Sequence, residues 1–196
     1  MVIMIRIENI TQKVSTLIRT LFEALKYNTV EMILFENHVI NDIFTKAHIC
    51  MVTYRNVTDI CEYEGEKNLK KYKRFLQRGD LGYYAYLDGK WIHRSWVVLG
   101  PRVTNRWFRF PPFVLKSGEA YCHFGETAPI SRGRNISSAV LSRIAEDLKG
   151  KAEHIYTLVD ENNYASRRAN EKAGFVEIKR IKKTSFFGLN FYRKLK

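Results

Sequence analysis

Apolar residues recur at three- and four-residue steps from 11 to 27, where Val14, Leu17, Ile18, Leu21, Phe22 and Leu25 follow a Thr11 cap, and this spacing predicts an amphipathic helix. Two short β-branched and aromatic runs, Glu31 to Phe35 and His48 to Tyr54, predict strands. A second helix is expected from Glu66 to Gln77, with Leu69, Tyr72, Phe75 and Leu76 inward and lysines outward, ended by Gly79 and Asp80. The run LGYYAYLDGKWIHRSWVVLG then reads as two strands parted by Asp88-Gly89, a hairpin signal with a mechanism, because both turn residues tolerate positive φ.

Beyond residue 117 the pattern alternates. Glu119 to Ser138, EAYCHFGETAPISRGRNISS, reads as a strand running into a basic turn and a helix start, and Ile136, Val140, Leu141, Ile144 and Leu148 give that helix a buried stripe. Ala152 to Asp160 predicts a strand, and ENNYASRRANEKAG predicts a helix capped by Asn162 or Asn163 and stopped by a left-handed Gly174. Two last strands, Phe175 to Ile181 and Thr184 to Tyr192, are expected around Lys182 and Lys183. Strand, helix, strand, helix, strand predicts an α/β (α+β) fold with a partly parallel, mixed sheet and helices packed on it.

Composition narrows the class. With 196 residues, 45% of them hydrophobic, the chain is expected to be one domain with a real core. No apolar run approaches the roughly 18 residues a membrane helix needs, and MVIMIRIENI meets Arg6 and Glu8 too early for a signal core, so a cytoplasmic protein without a membrane span is expected. Cys50, Cys61 and Cys122 are odd in number and lack CxxC spacing, which argues against disulfides and a zinc site; no metal is expected.

The formal charge of +13 favours anionic partners without naming them. Basic residues cluster at 67 to 78 and again at 179 to 196. The segment 99 to 117 mixes Trp107, Phe108, Phe110 and Phe113 with Arg102, Arg106 and Arg109; this reads first as a self-packed loop or a substrate-side lid, and second as a surface on which bases stack. His93, among Trp91, Arg94 and Trp96, reads as a packed strand histidine, with substrate binding as the alternative. The turn with Arg132, Gly133, Arg134 and Asn135 before Ser137 and Ser138 is a place to hold a phosphate, since a helix's first N–H groups lack internal partners and its dipole is positive there.

The series Thr127-Ala128-Pro129-Ile130-Ser131-Arg132-Gly133-Arg134, a helix, a strand, Asn163-x-x-Ser166, and then Glu171-Lys172-Ala173-Gly174-Phe175 resembles the GNAT superfamily of N-acyltransferases. The match covers the C-terminal half tightly, and the hairpin at 81 to 98 fits the family's central strands. Residues 1 to 78 stand as a divergent, helix-rich N-terminal half, with 79 to 196 as the core carrying the motifs. The resemblance implies an acetyl-CoA or other acyl-CoA co-substrate, with its pyrophosphate at the turn after the fourth strand. It places Arg132, Asn135 and Ser137 at the three motif positions, and Asn163 and Ser166 along the pantetheine arm. Thr127, Ala128, Gly133, Arg134, Ile136 and Ser138 complete the implied cofactor set.

Asn135 and Ser137 stand where the family pattern has small or glycine residues, and Asn170 stands where many members have a Tyr that protonates the departing thiolate. Asn tolerates the left-handed region and Ser is small, so the loop is expected to keep its shape. Asn170 cannot deliver a proton, which leaves Tyr164, Cys122, or unaided departure of a thiol whose pKa is roughly 8.5. The implied reaction is attack of an amine on the thioester in a ternary complex. Glu126 is the first candidate base, with His123 and Glu119 behind it; strand alternation turns His123 and Glu126 to opposite faces unless a bulge intervenes. The acceptor is expected to be a small-molecule or sugar amine, an anionic one suiting the basic surface, and the chain a monomer or homodimer. A degenerate coenzyme A-binding module and a basic nucleic-acid-binding protein are the alternatives.

Overall fold

The computed structural model describes residues 28–103, 110–186 and 189–195. The helix expected at 11 to 27 and the aromatic-arginine stretch at 104 to 109 lie outside the described residues. Among the described residues, eight strands form one sheet: β1 (Asn28–Asn37), β2 (His48–Val52), β3 (Leu81–Leu87), β4 (Lys90–Leu99), β5 (Glu119–Thr127), β6 (His154–Asp160), β7 (Phe175–Phe186) and β8 (Leu189–Lys194). The helices are α1 (Cys61–Glu64), α2 (Leu69–Gln77), α3 (Ile136–Asp147) and α4 (Tyr164–Lys172). Strand order is β2-β3-β4-β5-β6-β1-β7-β8, and among the described residues the one parallel pair is β5 with β6.

Helices cover both faces. On one, Ile136, Val140, Ile144 and Leu148 of the α3 stripe pack with Ile33, Phe35, Val97 and Phe175. On the other, Tyr72 and Phe75 of α2 pack on Trp96, whose ring stacks on Tyr72 at 5.7 Å. The Asp88-Gly89 turn takes positive φ at both residues, 50° and 74°, so the hairpin forms where local chemistry demands it.

β1 bears out the strand expected at Glu31 to Phe35 and extends it to Asn28–Asn37. It lies inside the sheet, antiparallel to β6 on one side and to β7 on the other. Ile33, Leu34 and Phe35 are buried in succession because both faces of this strand are covered. The break expected at Lys182-Lys183 is corrected: β7 runs through both lysines to Phe186, and β8 starts at Leu189. Lysine carries no turn chemistry, and pairing with Val30 and Glu31 of β1 holds those two residues in the ladder.

The relation of β5 to β6 positions everything that follows. They pair only from Glu119↔His154 to Cys122↔Thr157, after which β5 continues to Thr127 and β6 to Asp160 apart from one another. An opening between their C-terminal ends joins the two faces of the sheet.

Candidate functional site

The basic turn folds as its residues require. Pro129–Ser131 make a single 3-10 turn, Gly133 takes φ 77°, and Asn135 sits in the left-handed region at φ 60°, ψ 12° as the residue before α3. Among the described residues no side chain caps α3, and its first backbone bond runs from Ala139 N to Asn135 O at 2.9 Å. The amides of Ile136, Ser137 and Ser138 thus stand ahead of the helical ladder and point their positive ends out of the helix.

These amides open on a groove of about 800 Å³. Thr127, Arg132, Gly133, Asn135, Ile136, Ser137 and Ser138 line it from the turn and α3, and Asn163 and Ser166 line it from the start of α4. Nine of the eleven expected cofactor residues therefore meet in one place. Ala128 does not: it is buried with Tyr72 and Trp96 on the opposite side of the strand end. Arg134 is exposed beside the groove and does not line it. Glu126 lines its edge.

Sequence reading passed over Ser131, Ala165, Arg168, Ala169 and Lys172, which also line the groove. For the four on α4 the signal was in the helix period, since Ala165 and Ala169, and Arg168 and Lys172, each lie four apart and share a face of that helix. The alanines let a ligand approach the backbone; the cations supply charge. Lys172 Nζ donates to Asn135 Oδ1 at 2.9 Å and ties α4 to the turn. Asn163 caps α4 as expected, its Oδ1 accepting from Ser166 N at 3.0 Å.

A second cavity of about 360 Å³ continues from the groove into the opening between β5 and β6 and shares Gly125, Ser137, Asn163 and Ser166 with it. On the α3 side it reaches His93, Thr157 and Asn170, and on the α2 side Phe110, Tyr121, His123 and Phe124. The mouth is shaped by a bulge: Arg94 pairs with Glu126 and Trp96 with His123, so Phe124 and Gly125 together oppose Ser95. Phe124 takes φ 55° there, and its carbonyl accepts from Arg94 Nη1 at 2.5 Å.

Each chemical candidate can now be placed. Glu126 accepts from Arg94 Nη2 at 2.5 Å while Arg94 Nε donates to Glu64 at 2.6 Å, so Glu126 is held in an ion pair at the groove edge. Burial raises Glu64, but hydrogen bonds from Tyr72 and Asn68 and the Arg94 charge outweigh it and leave its pKa lowered. His123 lies in the second cavity, and burial holds its pKa below the ordinary value, with nearby Asp80 opposing. Glu119 accepts from Lys116 N at 2.7 Å at the far end of β5, away from the opening.

The candidate proton donors divide. Tyr164 is largely exposed on α4, with the Arg167 guanidinium 5.8 Å from its ring centroid, and lines neither cavity. Cys122 lines the second cavity, but burial pushes its thiol up to about 12. Asn170 is committed to structure, accepting from Thr157 Oγ1 and donating to Ser166 O, both at 2.8 Å. His93 is buried, shares a 2.7 Å hydrogen bond with Thr127 Oγ1, and is lowered to about 3 by burial and the Arg94 charge, so it stays neutral.

Among the described residues, no group of three metal-ligating side chains occurs and no helix is long and apolar enough to cross a membrane. The groove suits an anionic ligand such as coenzyme A: uncapped amides, the cations Arg132, Arg168 and Lys172, and small residues line about 800 Å³.

No family model matches the sequence, and no curated protein matches it significantly. Solved structures do. An acetyltransferase of the GNAT family from Colwellia psychrerythraea superposes with a TM-score of 0.60 at 15% identity, over 82% of this chain and 57% of that one. A tandem GNAT protein from the clavulanic acid biosynthesis pathway gives 0.56 at 12% identity, over 82% and 55%. A GCN5-related N-acetyltransferase-like protein from Streptococcus suis gives 0.56 at 12% identity, over 91% and 67%. The chain thus spans little more than half the length of the first two. At these identities the likeness is one of fold: the chain has the fold of the GNAT acetyltransferases.

Proposed function

We propose that the protein is an N-acyltransferase that moves an acyl group, most simply acetyl, from coenzyme A to an amine by direct attack in a ternary complex. One observation carries this reading: the groove at the α3 N-terminus is continuous with an opening through the sheet, so a thioester lying along the groove and an amine entering from the other face meet at the bulge.

The α3 amides with Arg132, Arg168 and Lys172 hold the phosphates, and Asn163 and Ser166 flank the arm. Coenzyme A supplies the thioester when bound. The bulge frees β5 backbone from the ladder next to the opening, where an N–H can polarise a carbonyl. Alignment of amine and thioester supplies much of the rate. Isothermal calorimetry with acetyl-CoA tests this: binding in the micromolar range is expected, and no binding at millimolar cofactor by folded protein overturns it.

A second reading, a coenzyme A-binding module without transfer, is favoured by Asn170, which is locked between Thr157 and Ser166 where a phenol would serve as acid. Thiol release from acetyl-CoA in the presence of primary amines counts against it.

A further inference from the structure

We infer that His123, backed by Asp80, takes the proton from the acceptor's ammonium group at the mouth of the opening; this rests on the acyl-transfer reading and names its base. His123 is buried in a box of rings, with Phe110 at 4.7 Å, Phe75 at 5.2 Å, Phe124 at 5.9 Å and Tyr121 stacked at 6.1 Å between centroids. Neither of its ring nitrogens has a hydrogen-bond partner among the described residues. An unpaired buried imidazole costs free energy unless a ligand completes it, and His123 lines the cavity through which the acceptor enters.

Asp80 explains the orientation. Its carboxylate has no solvent exposure, accepts from Arg78 Nε at 3.0 and 3.1 Å, lies 4.0 Å from Arg102, and stands 3.8 Å from His123 Nε2. That last distance is too long for a hydrogen bond and short enough for charge to act. With Nε2 turned to Asp80, Nδ1 is left for the acceptor. Glu126 is the weaker claimant, because Arg94 holds it and it lines the groove without lining the smaller cavity.

The proton inventory is consistent. Among the described residues, the charged groups that act on His123 are Asp80 and Arg78 after α2 and Arg94 on β4, and Arg102 beyond β4 lies 4.0 Å from Asp80. Burial and the arginines keep the ring neutral near pH 7, ready to accept, and Asp80 steadies the imidazolium once it forms. The ammonium gives one proton to Nδ1; the nitrogen lone pair forms the C–N bond to the thioester carbon as the C–S bond breaks; the thiolate takes the second nitrogen proton. His123 then releases its proton to water.

The test uses the full chain, acetyl-CoA, and a panel of apolar, sugar and acidic primary amines, with thiol release followed from about pH 5 to 9. His123→Gln is expected to bind acetyl-CoA within about twofold of wild type while turnover falls about 100-fold and the acid limb of the pH profile disappears. Asp80→Asn, acting as a positioning change, is expected to keep some turnover and to move the acid limb to lower pH. Turnover of His123→Gln near wild type, or an unmoved acid limb, overturns the inference and leaves acyl transfer standing. Failure of folded wild type to bind acetyl-CoA removes the reading beneath it. If either variant misfolds, or no amine in the panel reacts, NMR of the His123 ring in acetyl-CoA-saturated wild type decides: a shift on adding amine supports the role, and an unmoved signal overturns it.

Discussion

His123 and Glu126 project from the same face of β5, because their partners Trp96 and Arg94 lie two residues apart on β4 and the bulge at Phe124-Gly125 absorbs one step of the alternation. Both carry proton-accepting groups toward α2, yet they meet different surroundings. His123 enters an apolar box at the opening; Glu126 meets a buried guanidinium.

That guanidinium sets the first prediction. Arg94 is nearly buried and bridges Glu64, also nearly buried, to the half-exposed Glu126. Arg94→Met strands the Glu64 charge and is expected to cost about 3–5 kcal/mol in denaturant unfolding, whereas Glu126→Gln is expected to cost about 0–1 kcal/mol. Equal losses from the two variants would refute the asymmetry.

Asn135 holds a left-handed conformation that the turn requires. Asn135→Gly keeps the backbone conformation and removes only the Lys172 acceptor, so it is expected to weaken acetyl-CoA binding less than Asn135→Val, which, forced into the same φ, is also expected to lose about 1–2 kcal/mol of stability. Calorimetry and thermal melts on the two variants check this.

Charge on the groove wall is expected to govern cofactor affinity. Arg168→Ala with Lys172→Ala should weaken acetyl-CoA binding by about 10-fold or more and flatten its salt dependence, since charge-assisted contacts contribute roughly 1.5–3 kcal/mol each. Binding of the double variant that is equal to wild type at low salt would remove these residues from the site.

Stability should fall on mild acidification. His93 and His123 have folded pKa values below the ordinary 6.5, His93 at about 3, so the unfolded chain binds more protons once pH drops below that ordinary value. The stabilisation is complete above the unfolded pKa and is lost as pH decreases, by up to about 1.4 kcal/mol per pH unit for each group. Thermal melts between about pH 7 and 5 should show a falling midpoint, and His93→Gln should make the dependence shallower.

Gly174 ends α4 at φ 87°, its carbonyl accepts from His38 N and Val39 N, and an added Cβ would lie 1.9 Å from Val39 O. Gly174→Ala is expected to destabilise by more than about 1 kcal/mol, combining left-handed strain with a backbone clash. An unfolding midpoint equal to wild type would contradict it.

Local chemistry made much of this protein readable. Asp88-Gly89 can close only a hairpin of this kind, Asn163 and Gly174 bound α4 through a cap and a stop, and the α3 stripe declares a buried face. The groove was legible for the same reason, because its parts sit within one strand-turn-helix and one following helix, where residues near in sequence stay near in space. Tertiary pairing decided the rest. Nothing local in Glu31 to Phe35 says that this strand enters between β6 and β7, since its partners lie more than 100 residues away. Nor does any periodicity show that Asp80, an unremarkable residue after a helix, is buried against His123, or that a bulge turns His123 and Glu126 to one face. Those facts depend on which backbone pairs with which, and pairing over such distances is settled by the whole sheet closing on its core.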